Sequence, residues 1–282
     1  MVNAQKYRPV MGGCSIGHYQ TTAGSMGCVV YDNQTGTKLI LSNSHVLALA
    51  NMVQDSPAQE GDYILQPAAY DGGMIQNDYI GTLHKWVILD KNAPNYVDAA
   101  VALPNNDGEI SDSIIQIGQI NGVINPELGL TVQKYGRTTE YTKGTITKTN
   151  LSLYIAYGDP ADPNTPVLLF RDCFMITQIA PYPKMIDGGD SGSLILDESN
   201  NAVGLVFAAN QYGEGIAMPI SSVLNALDVN INGIVPPPQI VEDGGETTPS
   251  IGKFLISVLP FLALPLMTYV LPAEPEKRRF KY

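Results

Sequence analysis

Short apolar runs separated by turn residues are the feature of this sequence that most restricts its fold. Residues 28–31, 38–41 and 203–207 are such runs, and Asn, Asp or Ser follows each within a few positions. Runs of this length with Gly-rich and Asn-rich breaks are typical of strands joined by tight turns. Residues 141–148 alternate polar and apolar, as an edge strand does. The sequence therefore predicts an all-β fold, with one short helix at residues 221–227 capped by Ser221.

A Gly-Asp-Ser-Gly sequence at residues 189–192 stands just before the apolar run at residues 194–196. A serine becomes a useful nucleophile when a tight turn exposes it and directs hydrogen-bond donors at the carbonyl it attacks. Glycines on both sides permit such a turn, because they adopt backbone angles that other residues resist. The pattern predicts that Ser191 is a nucleophile at the start of a strand.

Two residues upstream of this turn are candidates for a catalytic triad with it. His45 follows a predicted buried strand and a short polar turn, and Asp98 stands at the mouth of the apolar run at residues 99–103. Asp90 is the main competitor for the role of Asp98. The chain order His, Asp, Ser predicts that His45 and Asp98 lie in one half of the molecule and Ser191 in the other.

A triad of this kind assigns a role to each residue. Ser191 attacks the carbonyl, His45 takes its proton and later gives it to the leaving amine, and Asp98 orients His45 and stabilises the imidazolium. The backbone N–H groups of Gly189 and Ser191 are expected to form the oxyanion hole. The remaining histidines, His18 and His84, are expected to be surface or packing residues.

Eight collinear segments resemble the trypsin-like serine proteases of the chymotrypsin family, and more closely a bacterial group related to the plant narrow-leaf trypsin-like proteases. The segments are residues 8–18, 22–27, 41–47, 61–67, 97–100, 136–145, 189–193 and 204–208. The resemblance implies two six-stranded antiparallel barrels over residues 1–234, with the catalytic cleft between them. It also implies a substrate pocket formed by Met185, Ile186, Phe207, Ala208 and Ala209, which favours an apolar or small side chain before the cut.

The sequence departs from the digestive members of that family at three places. Val46 follows His45 where those members have a cysteine, and no cysteine pair brackets the site. Those members also release an N-terminal ammonium that pairs with the aspartate before the nucleophile. Here Arg8 precedes Pro9, which makes a poor cleavage bond, so Asp190 must find another partner or be solvated. We expect activity that does not depend on N-terminal processing.

The net charge and the cysteine content restrict the possible partners of the protein and the compartment in which it works. A net charge of −11 argues against nucleic acid as a partner, because phosphates require a positive surface. The three cysteines are odd in number and lack metal-ligand spacing, which favours a reducing, cytosolic compartment; one disulfide plus a free thiol is the alternative. No cofactor or metal is expected. The polar stretch after Met1 contains no apolar signal core, which also favours the cytoplasm.

The character of the chain changes after residue 234. Residues 235–250 are rich in Pro, Gly and acidic residues and predict a solvated linker. Residues 251–271 are mostly apolar, near the lower length limit for a membrane span, but contain Pro260 and Pro265. A basic end completes the segment 251–282. Membrane association, binding to a partner or to the chain itself, and a strand packed on a neighbouring subunit are the three interpretations.

The sequence as a whole predicts a serine endopeptidase that acts on a protein or peptide substrate, and specifically one that processes a particular partner protein. The alternative is a binding or scaffold module that keeps the protease fold with an unused site. The complete set of candidate triad residues favours the enzyme.

Overall fold

The computed structural model describes residues 3–49, 58–158, 162–233 and 279–280. The expected linker at residues 235–250 lies outside the described residues, and so does the segment 251–282 apart from Arg279–Phe280. Across the described ranges, no helix is both long enough and apolar enough to cross a membrane.

Nineteen strands and three short α-helices make up the described fold. The strands of the first half are β1 (Val10–Gly12), β2 (Ser15–His18), β3 (Gly24–Ser25), β4 (Val29–Asp32), β5 (Lys38–Ser42), β6 (Tyr63–Leu65), β7 (Tyr79–Trp86), β8 (Ala100–Pro104), β9 (Ile110–Ile114) and β10 (Gly118–Gln119). Those of the second half are β11 (Gly122–Val123), β12 (Thr131–Gly136), β13 (Glu140–Ala156), β14 (Val167–Gln178), β15 (Leu194–Asp197), β16 (Asn201–Ala209), β17 (Gly215–Pro219), β18 (Val229–Asn230) and β19 (Arg279–Phe280). The α-helices are α1 (Ser44–Leu47), α2 (Ile75–Asp78) and α3 (Ile220–Leu227), and 3₁₀ turns lie at Ala69–Asp71 and Asp107–Glu109.

The first half curls into a barrel. Its sheet runs in the order β18-β4-β5-β8-β7-β6-β2-β3, so β18 returns from the second half of the chain to pair with β4. The stretch that joins β3 to β4 closes the sheet, because Met26 N donates to Cys14 O at 2.9 Å and Gly27 N donates to Leu41 O at 2.8 Å. Strands β1, β9 and β10 form a separate three-stranded sheet.

The second half forms a closed barrel of six strands. The order is β16-β15-β12-β13-β14-β17, and β17 pairs again with β16. Strand β11 adds in parallel to β16, and β19 adds in parallel to β13. The all-β prediction and the double barrel are thereby confirmed.

Burial on both strand faces explains the continuous apolar runs of the sequence. In β5, Ile40 belongs to the core of the first barrel, whereas Leu39 and Leu41 face a cluster shared by both barrels. In β16, Val206 faces the core of the second barrel and Phe207 faces the shared cluster. A strand with one solvated face would show alternation instead. The shared cluster packs the two barrels together and so determines how the loops between them meet.

Helix α3 differs from its prediction at the N-terminus. The cap is Pro219 at the end of β17, without a side-chain capping bond, and Ser221 already lies within the helix. The chain passes directly from the extended backbone of β17 into the helix, which leaves no loop where a serine could cap it. The cysteines Cys14, Cys28 and Cys173 are all buried and free, so the alternative of one disulfide is wrong.

Candidate active site

A buried histidine–aspartate pair lies at the edge of the first barrel. Nδ1 of His45, in α1, is 2.6 Å from Oδ2 of Asp98, and the backbone N–H of His45 donates to Oδ1 at 3.1 Å. Asp98 is fully buried and His45 is 8% exposed. A carboxylate can only accept, so the short contact requires a proton on Nδ1 and leaves Nε2 as the other functional nitrogen.

The side chains of Tyr157 and Asn43 also hold Asp98. The hydroxyl of Tyr157 donates to Oδ2 at 2.7 Å, and the ring of Tyr157 stands edge-on to His45 with centroids 5.8 Å apart. Nδ2 of Asn43 donates to the Asp98 carbonyl at 2.6 Å instead of capping α1. Sequence reasoning missed Tyr157, which is one of 15 tyrosines and directly follows β13 without any motif around it.

The serine turn lies against the first barrel. The backbone is left-handed at Gly189 (φ +97°) and at Gly192 (φ +92°), where a side chain would be strained. A Cβ at Gly192 would also strike the Ser42 hydroxyl. Ser25 N donates to the Ser191 carbonyl at 2.7 Å, which ties the turn to β3.

Gly24 relates the turn to the histidine helix. A Cβ there would collide with the side chain of Val46, the residue after His45, and would lie 3.0 Å from the Ser191 carbonyl oxygen. The absence of a side chain therefore lets the start of β3 fit between α1 and the serine turn. The neighbour of His45 and the backbone of Ser191 therefore both pack against this one glycine.

The backbone N–H groups expected to form the oxyanion hole are open. Asp190 N donates to Asp187 O, Gly192 N to Val206 O and Ser193 N to Asp190 O, at 2.8 to 3.0 Å. By contrast, the N–H groups of Gly189 and Ser191 donate to no acceptor among the described residues.

Asp190, whose partner the sequence did not identify, pairs with a buried lysine. Lys134 of β12 places Nζ 3.5 Å from Oδ2, and both side chains are completely buried. Backbone N–H groups of Thr138, Thr139 and Asp187 also donate to the carboxylate, and so does the Thr139 hydroxyl. Burial lowers the pKa of Lys134, and the charge of Asp190 acts against that shift. The ion pair lies within the second barrel and requires no chain terminus.

A pocket of about 340 Å³ opens beside Ser191. Its wall is formed by Lys184, Ile186, Asp187, Gly188, Ser191, Ala208, Ala209, Asn210, Gln211 and Gly213. Of the residues expected there, Ile186, Ala208 and Ala209 line it, whereas Met185 and Phe207 have side chains buried in the core clusters. The Lys184 ammonium is 2.7 Å from a carboxylate oxygen of Asp187, so these two charges compensate each other.

The other candidate side chains lie outside this site. Asp90 is exposed and accepts from Asn92 N at 2.7 Å, within its own loop. His18 is buried, with Nε2 3.1 Å from Oδ2 of Asp62, and burial lowers its pKa. His84 pairs at the surface with Glu60. Within the described ranges, no group of three or more His, Cys, Asp or Glu side chains is arranged to hold a metal ion.

Comparison with known proteins identifies the fold of this chain. No family model matches the sequence, and no curated protein does. Protease A of Thermobifida fusca is 16% identical, with a TM-score of 0.53 over 78% of this chain and 97% of that one. A Cellulomonas bogoriensis chymotrypsin (19%, TM-score 0.51) and a Nocardiopsis protease (15%, 0.53) each cover 78% of this chain and 97% of their own. The chain therefore has the double-barrel fold of the chymotrypsin-like serine proteases.

Proposed function

We propose that this protein is a serine endopeptidase that hydrolyses peptide bonds with His45, Asp98 and Ser191. The observation that carries the proposal is the buried 2.6 Å contact between His45 and Asp98. The helix that carries His45 packs beside the serine turn, because Val46 contacts Gly24 and Gly24 contacts the Ser191 backbone. A buried carboxylate on Nδ1 is the arrangement that prepares Nε2 to accept a proton. The protease fold of the structural neighbours supports the same reading.

The residues divide the reaction into two steps. Ser191 Oγ attacks the peptide carbonyl while His45 Nε2 takes the hydroxyl proton, and the same proton then passes to the departing amine as the peptide bond breaks. A water molecule next attacks the acyl-enzyme ester and gives a proton to His45. The Ser191–acyl bond breaks, the carboxylic acid leaves, and Ser191 regains its proton. Asp98 stabilises the imidazolium in both steps.

The open N–H groups of Gly189 and Ser191 would hold the negative oxygen of each tetrahedral intermediate. Such donors act most strongly when they are already oriented before the charge appears. Removal of one donor from an oxyanion hole typically costs about 10²- to 10³-fold in rate. In this protein the two donors are backbone groups, so the conformation of the turn determines their direction.

The pocket beside Ser191 supports cleavage after an apolar or small residue. Its apolar wall consists of the buried Ile186 and Ala208 and the half-buried Ala209, and its one carboxylate, Asp187, is already compensated by Lys184. A basic substrate side chain would find no unpaired anion there among the described lining residues. A peptide-library cleavage profile measures this preference directly, and enrichment of Arg or Lys before the cut would contradict it.

Labelling with a fluorophosphonate probe tests the activity. We expect the wild type to be phosphonylated at one serine, Ser191→Ala to be unlabelled, and Asp98→Asn to react far more slowly. Ser199→Ala, at an exposed serine, is the control for the substitution and should label like the wild type. A folded wild type that stays unlabelled would favour the binding or scaffold module.

Several expectations from the sequence stay predictions: the particular partner protein, the cytoplasmic location, and the nearer kinship with bacterial relatives of the narrow-leaf proteases. Contact of residues 251–271 with a membrane or a partner is another. Liposome binding with and without residues 236–282 tests the last one, and equal binding by both forms would exclude the membrane.

A further inference from the structure

The turn between β12 and β13 stands directly behind the candidate oxyanion hole. Gly189 packs against it so closely that a Cβ would lie 2.5 Å from Thr138 Oγ1 and 2.7 Å from Arg137 Nη1. Neither Thr138 nor Arg137 has a part in the triad. Their closeness to Gly189 raises the question of what they do to its backbone.

Thr138 holds the peptide group whose N–H is one of the two proposed donors of the hole. Its hydroxyl donates to the Gly188 carbonyl at 2.7 Å and accepts from Arg137 Nη1 at 3.0 Å. In a trans peptide the C=O and the N–H point in opposite directions. Because the Gly188 oxygen is bound on the Thr138 side, the Gly189 N–H must point away from it. Rotation of this peptide would break the bond and remove a donor from the hole.

Arg137 is itself held from the first barrel. Its Nε donates to Asp71 Oδ2 at 2.8 Å and its Nη2 donates to Asp71 Oδ1, a two-point contact with fixed geometry. The Ser15 hydroxyl donates to the same carboxylate at 2.5 Å. The side chains of Arg137 and Asp71 are 9% and 5% exposed, so water competes little for this pair.

Asp71 remains charged in this setting. Burial acts to raise its pKa, but the hydrogen bonds from Arg137 and Ser15, together with the Arg137 charge, outweigh burial and hold the pKa below its ordinary value. Hydrogen bonding to Asp71 raises the pKa of Arg137 in turn. Both ions therefore persist at neutral pH, and the guanidinium stays in place to donate to the Thr138 hydroxyl oxygen.

We infer that Thr138 is a positioning residue for the oxyanion hole, and that Arg137, held by Asp71 from across the barrel interface, orients its hydroxyl. The Gly188–Gly189 peptide then keeps its direction only while the two barrels are docked. This inference rests on the proposed endopeptidase function. It assigns to the first barrel a second contribution to catalysis beside the His45–Asp98 pair.

The kinetics of phosphonylation distinguish a positioning role of Thr138 from a role in binding the probe. Thr138→Val keeps the shape of the side chain and removes its hydroxyl, while Thr138→Ser keeps the hydroxyl. We expect Thr138→Val to lower the maximal labelling rate roughly tenfold, less than the loss of a donor would, with the half-saturating probe concentration unchanged. Thr138→Ser should restore most of the rate. The control is Thr147→Val, at an exposed threonine whose hydroxyl bonds only to Thr177 among the described residues.

A second variant tests the link to the first barrel. Asp71→Asn should lower the same rate, and in combination with Thr138→Val it should add little, because residues of one network do not contribute independently. Fully additive losses would show that Asp71 acts elsewhere. Melting temperatures of all variants identify any that fail to fold.

Amide hydrogen exchange gives a readout that needs no activity. In Thr138→Val, exchange across residues 186–193 should be faster than in the wild type and in Thr147→Val. A labelled wild type together with an unchanged rate and unchanged exchange in Thr138→Val would overturn the inference and leave the proposed function intact. An unlabelled wild type whose exchange still depends on Thr138 would overturn the function and leave the positioning of the peptide standing.

Discussion

Replacement of Lys134 by methionine tests whether the buried ion pair holds the serine turn. Lys134 and Asp190 are both fully buried, 3.5 Å apart, and Nζ also donates to the Glu140 carbonyl at 3.0 Å. Methionine has nearly the same length and fills the same space without a charge. The Asp190 carboxylate would then remain in the interior without a cation beside it.

The expected loss follows from what remains around the carboxylate. Breaking a buried ion pair from one side typically costs about 3–5 kcal/mol, because the other charge is left uncompensated. Four donors would still bind Asp190: the N–H groups of Thr138, Thr139 and Asp187, and the Thr139 hydroxyl. These favour the lower end, so we expect Lys134→Met to reduce the free energy of unfolding by about 3 kcal/mol. For a domain of this size that corresponds to a fall in Tm of roughly 6–12 °C.

Urea unfolding followed by fluorescence measures this loss, and the adjacent strand offers a matched control. Lys143 of β13 makes an exposed ion pair with Glu198 at 3.1 Å. Because solvent screens such a pair, Lys143→Met should cost less than about 1 kcal/mol. If Lys134→Met lost no more stability than Lys143→Met, the argument from burial would be wrong. The phosphonylation rate of Lys134→Met should also fall, since Asp190 belongs to the nucleophile turn.

Three other outcomes are expected. Tyr157→Phe should lower the phosphonylation rate roughly thirtyfold without changing probe affinity, because it removes one hydrogen bond of about 2 kcal/mol from the Asp98 carboxylate. Tyr154→Phe, at an exposed position in β13 three residues before Tyr157, should have no effect. Asp71→Asn should remove a part of the stability that depends on pH. The pKa of this carboxyl is lowered by folding, so its contribution is present above about pH 4 and is lost as the pH falls through the folded-state pKa; an equal gap between wild type and variant at all pH values in urea titrations would contradict this. Finally, the three cysteines are buried and their pKa values are raised to about 12, so a thiol reagent at pH 8 should modify them only after unfolding, and rapid reaction of the native protein would show that the interior opens.

The sequence by itself determined the features that depend on local chemistry. Continuous apolar runs of four or five residues predicted strands, because a strand buried on both faces needs no alternation. The glycines at positions 189 and 192 predicted the serine turn, because a positive φ is a property of single residues. The apolar run at residues 38–41 likewise predicted that His45 follows directly after a strand.

Only the tertiary structure decided which distant groups meet. Asp98 and Asp90 were both candidates along the chain, and the pairing of β5 with β8 brings Asp98 to His45 while Asp90 stays in its own loop. Tyr157, Lys134 and Asp71, the partner of Arg137, carry no sequence signature. Each is a buried polar side chain satisfied by a partner that folding brings from another strand or the other barrel, so its role depends on a complementary position that no local pattern encodes.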